Sequence, residues 1–420
     1  MTFEERAVRL SKGAVSILML FFLMVGTLTI AYRIQPASAA TVDWWPTFHH
    51  DTNRTGASTS TGPNTDQTLW EHSANVDLSS PAVSDGLVYV GSNDSRVYCL
   101  NANTGAVVWT YLTGGIVYSS PTVVGGFLYV GSLDDDVYCL NAANGSLVWL
   151  YPTGGNVGDS SPAVVGGLVY VGSHDDSVYC VNATSGTLVW RYVGSGEVDA
   201  SPTVVGGFVY VGSYNDEKVY CLNAATGALV WGYTTRGFVD SSPAVSGGFV
   251  YVGSDDWKVY CLNAATGALV WSYLTGSYVG SSPAVADGMV YVGSENNNVY
   301  CLNAADGSVV WHYATHGAVI SSPAVASGLV YVGSSDDNVY CLNAATGKLV
   351  WSYKTGDEVY SSPAVVNGVL YVASTDGKIY AIGVSTATPE FSVYLLLPLF
   401  MMATLLAAFV FRRKRNVRTQ

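Results

Sequence analysis

Residues 281–313 read SSPAVADGMVYVGSENNNVYCLNAADGSVVWHY, and this stretch decides the fold. Four segments in it combine β-branched and aromatic residues between turn formers: Pro283-Ala284-Val285, Met289–Val292, Val299–Asn303 and Val309–Tyr313. Asp287-Gly288, between the first two, is a hairpin dipeptide that tolerates positive φ, and Asn303 to Gly307 joins the last two. Working outward, the unit recurs, with Trp70, Trp109, Trp149, Trp190, Trp231, Trp271, Trp311 and Trp351 spaced 39 to 41 residues apart. Four short antiparallel strands every 40 residues is the period of a propeller blade. Helical solenoids share that period, but here helix formers are scarce and Val, Tyr and Gly dominate.

Opening strands near Ser79, Ser119, Ser160, Ser201, Ser241, Ser281, Ser321 and Ser361 count eight blades. The eighth lacks its last strand after Ile379-Tyr380-Ala381-Ile382, and the missing piece stands ahead of the first blade as Thr68-Leu69-Trp70. An N-terminal strand that completes the last blade removes two exposed sheet edges. The expected fold is therefore all-β, an eight-bladed propeller of four-stranded antiparallel blades over residues 67–384, closed by an N-terminal strand. A lead-in precedes it over residues 40–66.

The stretch Cys261 to Trp271, Cys-Leu-Asn-Ala-Ala-Thr-Gly-Ala-Leu-Val-Trp, resembles the tryptophan-docking repeat of quinoprotein-type (PQQ-like) propellers. It recurs seven times, with Gly and Trp kept throughout and Thr replaced in three copies. Trp45-Pro46-x-Phe48, with Asp51 and Thr55-Gly56, resembles the lead-in of secreted proteins of this group. The resemblance implies that each repeat tryptophan packs over the Thr-Gly turn of a neighbouring blade. It also raises a quinone-dependent alcohol dehydrogenase, an enzyme type with long inter-blade insertions, an adjacent Cys-Cys pair, and Asp, Glu and Asn grouped on PQQ and Ca²⁺. This chain has uniform blades and no Cys-Cys, so neither PQQ nor catalysis is expected. A third expectation, an envelope assembly factor similar to the outer-membrane-assembly propellers of bacteria, ranks lower because no lipoprotein cysteine stands near the N-terminus. The first expectation is a non-enzymatic cell-surface scaffold that binds a protein or glycan.

The ends read as targeting segments. Residues 1–39 carry Arg6, Arg9 and Lys12, an apolar run from Ala14 to Ala31, and the small-x-small site Ala37-Ser38-Ala39, the pattern of a signal peptide. Residues 393–411 are 19 without a charge, long enough to span a bilayer, and Arg412-Arg413-Lys414-Arg415 opens a basic tail over 412–420. The propeller is thus expected on the outer face of the membrane, anchored at its C-terminus. Pro389-Glu390-Phe391, within the linker 385–392, resembles the PEF-type sorting signals of archaeal surface proteins. That resemblance implies a sorting protease and a lipid anchor in place of the helix.

Residues 40–388 hold 9 basic and 28 acidic residues, a balance that excludes nucleic acid and favours cationic partners. Much of the acid falls between the second and third strands of the blades, at Asp94, Asp134, Asp135, Asp136, Asp175, Asp176, Asp216, Asp255, Asp256, Asp336, Asp337 and Asp376. Blade repetition places these aspartates as an acidic ring on one face, where Ca²⁺ is the cation they would take, although no loop has the D-x-D-x-D-G spacing. Cys99, Cys139, Cys180, Cys221, Cys261, Cys301 and Cys341 share one repeat position and read as small buried residues rather than disulfide partners. Trp257 alone puts an indole into this loop. The histidines His49, His50, His72, His174, His312 and His316 form no spaced metal motif, and Asn53, Asn93, Asn144 and Asn182 open glycosylation sequons.

Overall fold

The computed structural model describes residues 42–384. The expected signal peptide, the span over 393–411 and the motif Pro389-Glu390-Phe391 lie outside the described residues. Within them the chain is all strand and turn, arranged as eight sheets.

The sixth blade shows how local chemistry builds each unit. Its strands A to D, from the axis outward, are Ala284–Ala286, Met289–Ser294, Asn298–Asn303 and Val309–Ala314. The A–B hairpin turns on Asp287 and Gly288, both at positive φ (50° and 76°), the geometry whose twist matches antiparallel strands. In the fifth blade the C–D turn is held by Asn263, whose Oδ1 accepts from the backbone N–H groups of Ala265 and Thr266. Strands B and C are buried on both faces, which is why they read Val-Tyr-Val-Gly and Val-Tyr-Cys-Leu rather than alternating. All seven cysteines are buried and unbridged.

Strand D carries a bulge. Leu262 faces Leu269 and Cys261 faces Trp271, so Val270 is the extra residue. Simple alternation would put Leu269 on the same side as Trp271; the bulge instead turns Leu269 and Val270 outward and sends the indole inward. There the tryptophan does what the repeat implies. Trp231 lies against Gly267 of the next blade, where a β-carbon would meet Cδ2 at 2.7 Å, so glycine is required. Its Nε1 donates to the carbonyl of Ala264 at 3.0 Å.

Ring closure has two independent signatures. Thr68–Ser73 pairs antiparallel with Lys378–Gly383, with Trp70 opposite Ala381. A circle of eight hydrogen bonds also runs from blade to blade, in which Ser80 N donates to Ser120 Oγ and so on round to Ser362 N donating to Ser80 Oγ, all at 2.9–3.0 Å.

The lead-in is part of the ring. Residues 45–61 thread the central channel and satisfy the inward N–H groups of the A strands: Val83, Val123, Val204, Val245, Val285 and Val325 donate to carbonyls of Trp45, Pro46, Thr52, Asn53, Thr55 and Gly56 in turn. These are edge donors that water would otherwise have to satisfy. At its centre Arg54, 1% exposed, donates to the carbonyls of Pro202, Ser161 and Phe48. The segment also replaces a missing turn. The eighth blade has no C–D turn, and Pro63 O takes the bonds that such a turn accepts elsewhere, from Trp351 Nε1 and Tyr331 OH.

Candidate functional site

With the channel filled from the A–B side, its mouth is the end where D–A and B–C turns meet. The twelve predicted aspartates divide there. Asp94, Asp134, Asp175, Asp216, Asp256, Asp336 and Asp376 each accept the hydroxyl of the tyrosine four residues on, for example Tyr138 to Asp134 at 2.7 Å. Three of them also accept a backbone N–H from the adjoining D–A turn, as Gly114 N does to Asp134 at 2.6 Å. In the sixth blade the direction reverses, Asn296 Nδ2 donating to the Tyr300 hydroxyl at 2.7 Å, so the position needs a hydrogen-bonding side chain and not a charge. Asp135, Asp176 and Asp337 occupy the positive-φ corner of the turn, and Asp136 begins a C strand. Of the twelve, Asp255 faces the channel mouth. Its N–H is bonded to Phe238 O of the D–A turn.

The mouth is lined by two positions at which otherwise alike blades differ. The residue ahead of the paired serines (Ala-Ser in the fourth blade) is Leu78, Tyr118, Asp159, Asp199, Asp240, Gly280, Ile320 and Tyr360 in turn. The first residue of the B–C turn is His174, Tyr214, Asp255 and Glu295 in blades three to six. At these two positions the acidic residues all fall in blades three to six, whereas the other half carries Leu78, Tyr118, Leu133, Ile320 and Tyr360 among polar residues, with Glu358 bonded to the Tyr360 hydroxyl. In the acidic half His174 Nε2 lies 2.6 Å from Asp199 Oδ1, and Asp159, His174 and Asp199 bring one ligand atom each within 4.8 Å of one another. No sequence motif joins these three. The signal that could have found them is variation within a column of the repeat, which the identity of the blades obscures.

Crowding shows in the proton affinities. Burial, then the charges of Asp255, Asp199, Asp159 and Glu295, pushes the Asp240 carboxyl up to about 8. Burial and Asp199 lift Asp159 to about 6, and burial with Glu295 and Asp256 lifts Asp255 to about 6. The hydrogen bond to Asp199 holds His174 up at about 9. A carboxyl whose folded pKa exceeds its unfolded value binds more protons folded than unfolded, so stability falls as pH rises between the two. His174 acts with the same sign, its contribution being lost as pH rises through its folded value. We expect Tm to fall between about pH 5 and pH 9, and Asp240→Asn to flatten that fall, as read by scanning calorimetry at fixed ionic strength. An Asp240→Asn chain with an unchanged slope would place the titration elsewhere.

The remaining sequence-predicted positions are dispersed. Trp257 is 49% exposed at a positive-φ corner (75°). Of the sequons, Asn53 lies in the channel segment, Asn93 is half-buried in a B–C turn, Asn182 holds its own C–D turn, and Asn144 is exposed in the C–D turn of the second blade.

The family model described as outer membrane protein assembly factor BamB matches residues 56–157, 134–237, 215–325 and 315–395. No curated protein matches the sequence. Among solved structures, BamB from Moraxella catarrhalis is similar at TM-score 0.65 and 18% identity, over 76% of this chain and all of that one. The quinohemoprotein alcohol dehydrogenase ADHIIG from Pseudomonas putida HK5 is similar at TM-score 0.71 and 15% identity, over 81% of this chain and 80% of that one. The corresponding enzyme from Comamonas testosteroni is similar at TM-score 0.71 and 16% identity, over 84% of this chain and 82% of that one. At these identities the likeness is one of fold.

Proposed function

Because the chain belongs to the PQQ-like repeat family described as outer membrane protein assembly factor BamB, we propose that it acts as a non-catalytic binding propeller on the outer face of the membrane, holding a cationic segment of a protein partner at the channel mouth. The observation that carries this reading is the acidic arc: Asp159, Asp199 and Asp240 from three consecutive blades, joined by Asp255 and Glu295. Like charges gathered in a concavity raise its potential and favour a complementary cation. A Lys- or Arg-bearing segment relieves that repulsion, and the other half of the mouth, with Tyr118, Tyr360 and Ile320, accepts the stems of such side chains.

The same arc does not suit PQQ, whose carboxylates would meet carboxylates while Arg54 lies buried on backbone carbonyls. For Ca²⁺, seven of the predicted aspartates are engaged by tyrosines, and a site with a histidine and two carboxylates falls short of six to eight oxygens. A glycan is the second reading, favoured by Tyr118, Tyr278 and Tyr360 around the mouth as stacking surfaces.

The test is binding of a fluorescent oligolysine peptide to the whole chain in detergent, against a neutral peptide of equal length. At pH 9, above the value of about 8 to which Asp240 is raised, affinity is expected to fall steeply with salt, and Asp199→Asn with Asp240→Asn to weaken it about tenfold, equivalent to about 1.4 kcal/mol. Equal binding of the neutral peptide would overturn the reading in favour of a glycan or an apolar ligand.

A further inference from the structure

We propose that the face opposite the acidic mouth is a lipid-docking surface, so that the propeller lies flat on its own membrane with the mouth turned outward. The inference rests on the reading that residues 393–411 hold the chain in the bilayer, and it adds which face meets the lipid and through which residues.

Three observations carry it. The first is where the described chain ends. Its last strand, Lys378–Gly383, runs toward the A–B and C–D turns, with Gly383 N bonded to Gln67 O and Val384 N to Gly368 O of the eighth A–B hairpin. Residues 385–392 separate this point from the uncharged run, a reach of about 30 Å at full extension. Presenting the opposite face to the lipid would spend about two thirds of that reach on passing strands about 20 Å long, whereas presenting the near face spends none of it.

The second is charge. The D–A and B–C turns, with the residues beside them, hold 21 acidic residues against six basic ones (Arg96, Lys218, Arg236, Lys258, Lys354 and Lys378), whereas the A–B and C–D turns hold three acids, Asp85, Asp287 and Asp306, with Lys348, and the lead-in on that side adds Asp43 and Asp66. A leaflet with anionic headgroups repels the first face and tolerates the second.

The third is the apolar perimeter. The strand-D bulge makes seven blades expose an adjacent aliphatic pair beside the C–D turn, such as Leu269 (48%) and Val270 (44%), and the pair recurs as Leu229 and Val230 or Leu349 and Val350. Aliphatic side chains next to a turn reach the depth of about 5–10 Å at which interfacial segments bury apolar surface. A second copy is the competing occupant. Two copies anchored in one membrane turn this face the same way, and so cannot apply it to each other.

The test uses the full chain in phosphatidylcholine vesicles containing a headgroup-nitroxide phosphatidylcholine. The native cysteines are buried, so a thiol-reactive fluorophore reports on an introduced one: Ala265→Cys in a C–D turn, or Arg236→Cys in a D–A turn. Quenching is expected to be about threefold stronger at Ala265→Cys, which lies about 20 Å nearer the lipid by strand length. Introducing Leu229→Glu, Val230→Glu, Leu269→Glu and Val270→Glu together is expected to abolish that difference while leaving the melt unchanged, since all four side chains are exposed.

Vesicle flotation separates the two readings. A chain that floats with equal, weak quenching at both positions is anchored but not docked, which overturns this inference alone. A chain that does not float overturns the anchoring reading and this inference with it. Quenching that is insensitive to the four glutamates, or a glycan at Asn144 on the mature chain, would likewise overturn the docking.

Discussion

A chain starting at Ala74 is expected to lose cooperative unfolding altogether. It lacks Thr68–Ser73, and with it five paired positions against Lys378–Gly383. It also lacks the Trp70 indole, which packs on Gly105 and donates to Ala102 O at 2.9 Å. Loss of a buried tryptophan costs about 3–5 kcal/mol, and each ladder hydrogen bond about 0.5–1.5 kcal/mol. Together these approach the whole stability of an ordinary domain, about 5–15 kcal/mol. Two unpaired edges would then face solvent, so association is expected as well as unfolding. Thermal melts by circular dichroism and size-exclusion chromatography read both. A companion chain starting at Gly62 keeps the closing strand and Pro63 and is expected to stay folded with a lowered Tm. If the shorter chain melts cooperatively within a few degrees of the parent, closure does not depend on this strand.

Arg54→Ala is expected to be the most damaging single substitution in the channel. The guanidinium satisfies three carbonyls, Pro202 O at 2.7 Å and Ser161 O and Phe48 O at 2.9 Å, and its plane lies over the Phe48 ring. Alanine leaves those acceptors without their donor and opens a void, a combination that costs about 3–5 kcal/mol. In a domain of this size a loss of that order lowers Tm by about 5 °C. Arg54→Lys is expected to recover little, because one ammonium cannot reproduce a planar fork aimed at three directions. Arg54→Met fills the space without the donors, so a Tm close to the parent's would show that packing, and not the three hydrogen bonds, holds the segment.

Much of the fold was legible because each blade repeats its own punctuation. Asp287-Gly288 and its counterparts mark the A–B hairpins, Asn263 to Gly267 marks a C–D turn, and Trp70 stands where the eighth blade lacks its last strand. The match of Trp231 to Gly267 follows from the resemblance, since a glycine next to an indole carries its reason in its size. The mouth was less legible. The eye is drawn to runs such as Asp134-Asp135-Asp136, which the fold uses on its own tyrosines and turn corners. It passes over Asp159, Asp199 and Asp240, single residues separated by whole blades.

The filling of the channel shows the same limit. Nothing local in residues 45–61 says that a lead-in will follow the A strands round the axis, because its partners are backbone N–H groups of many different blades, and backbone donors leave no mark on side-chain identity. The sequence alone therefore determined what short-range chemistry and exact repetition encode: strand period, turn type, blade number and the strand shared across the ends. Only the tertiary structure decided which carboxylates meet and what occupies the axis. Those properties depend on distances between residues of different strands and blades, and such distances exist only once the ring has closed.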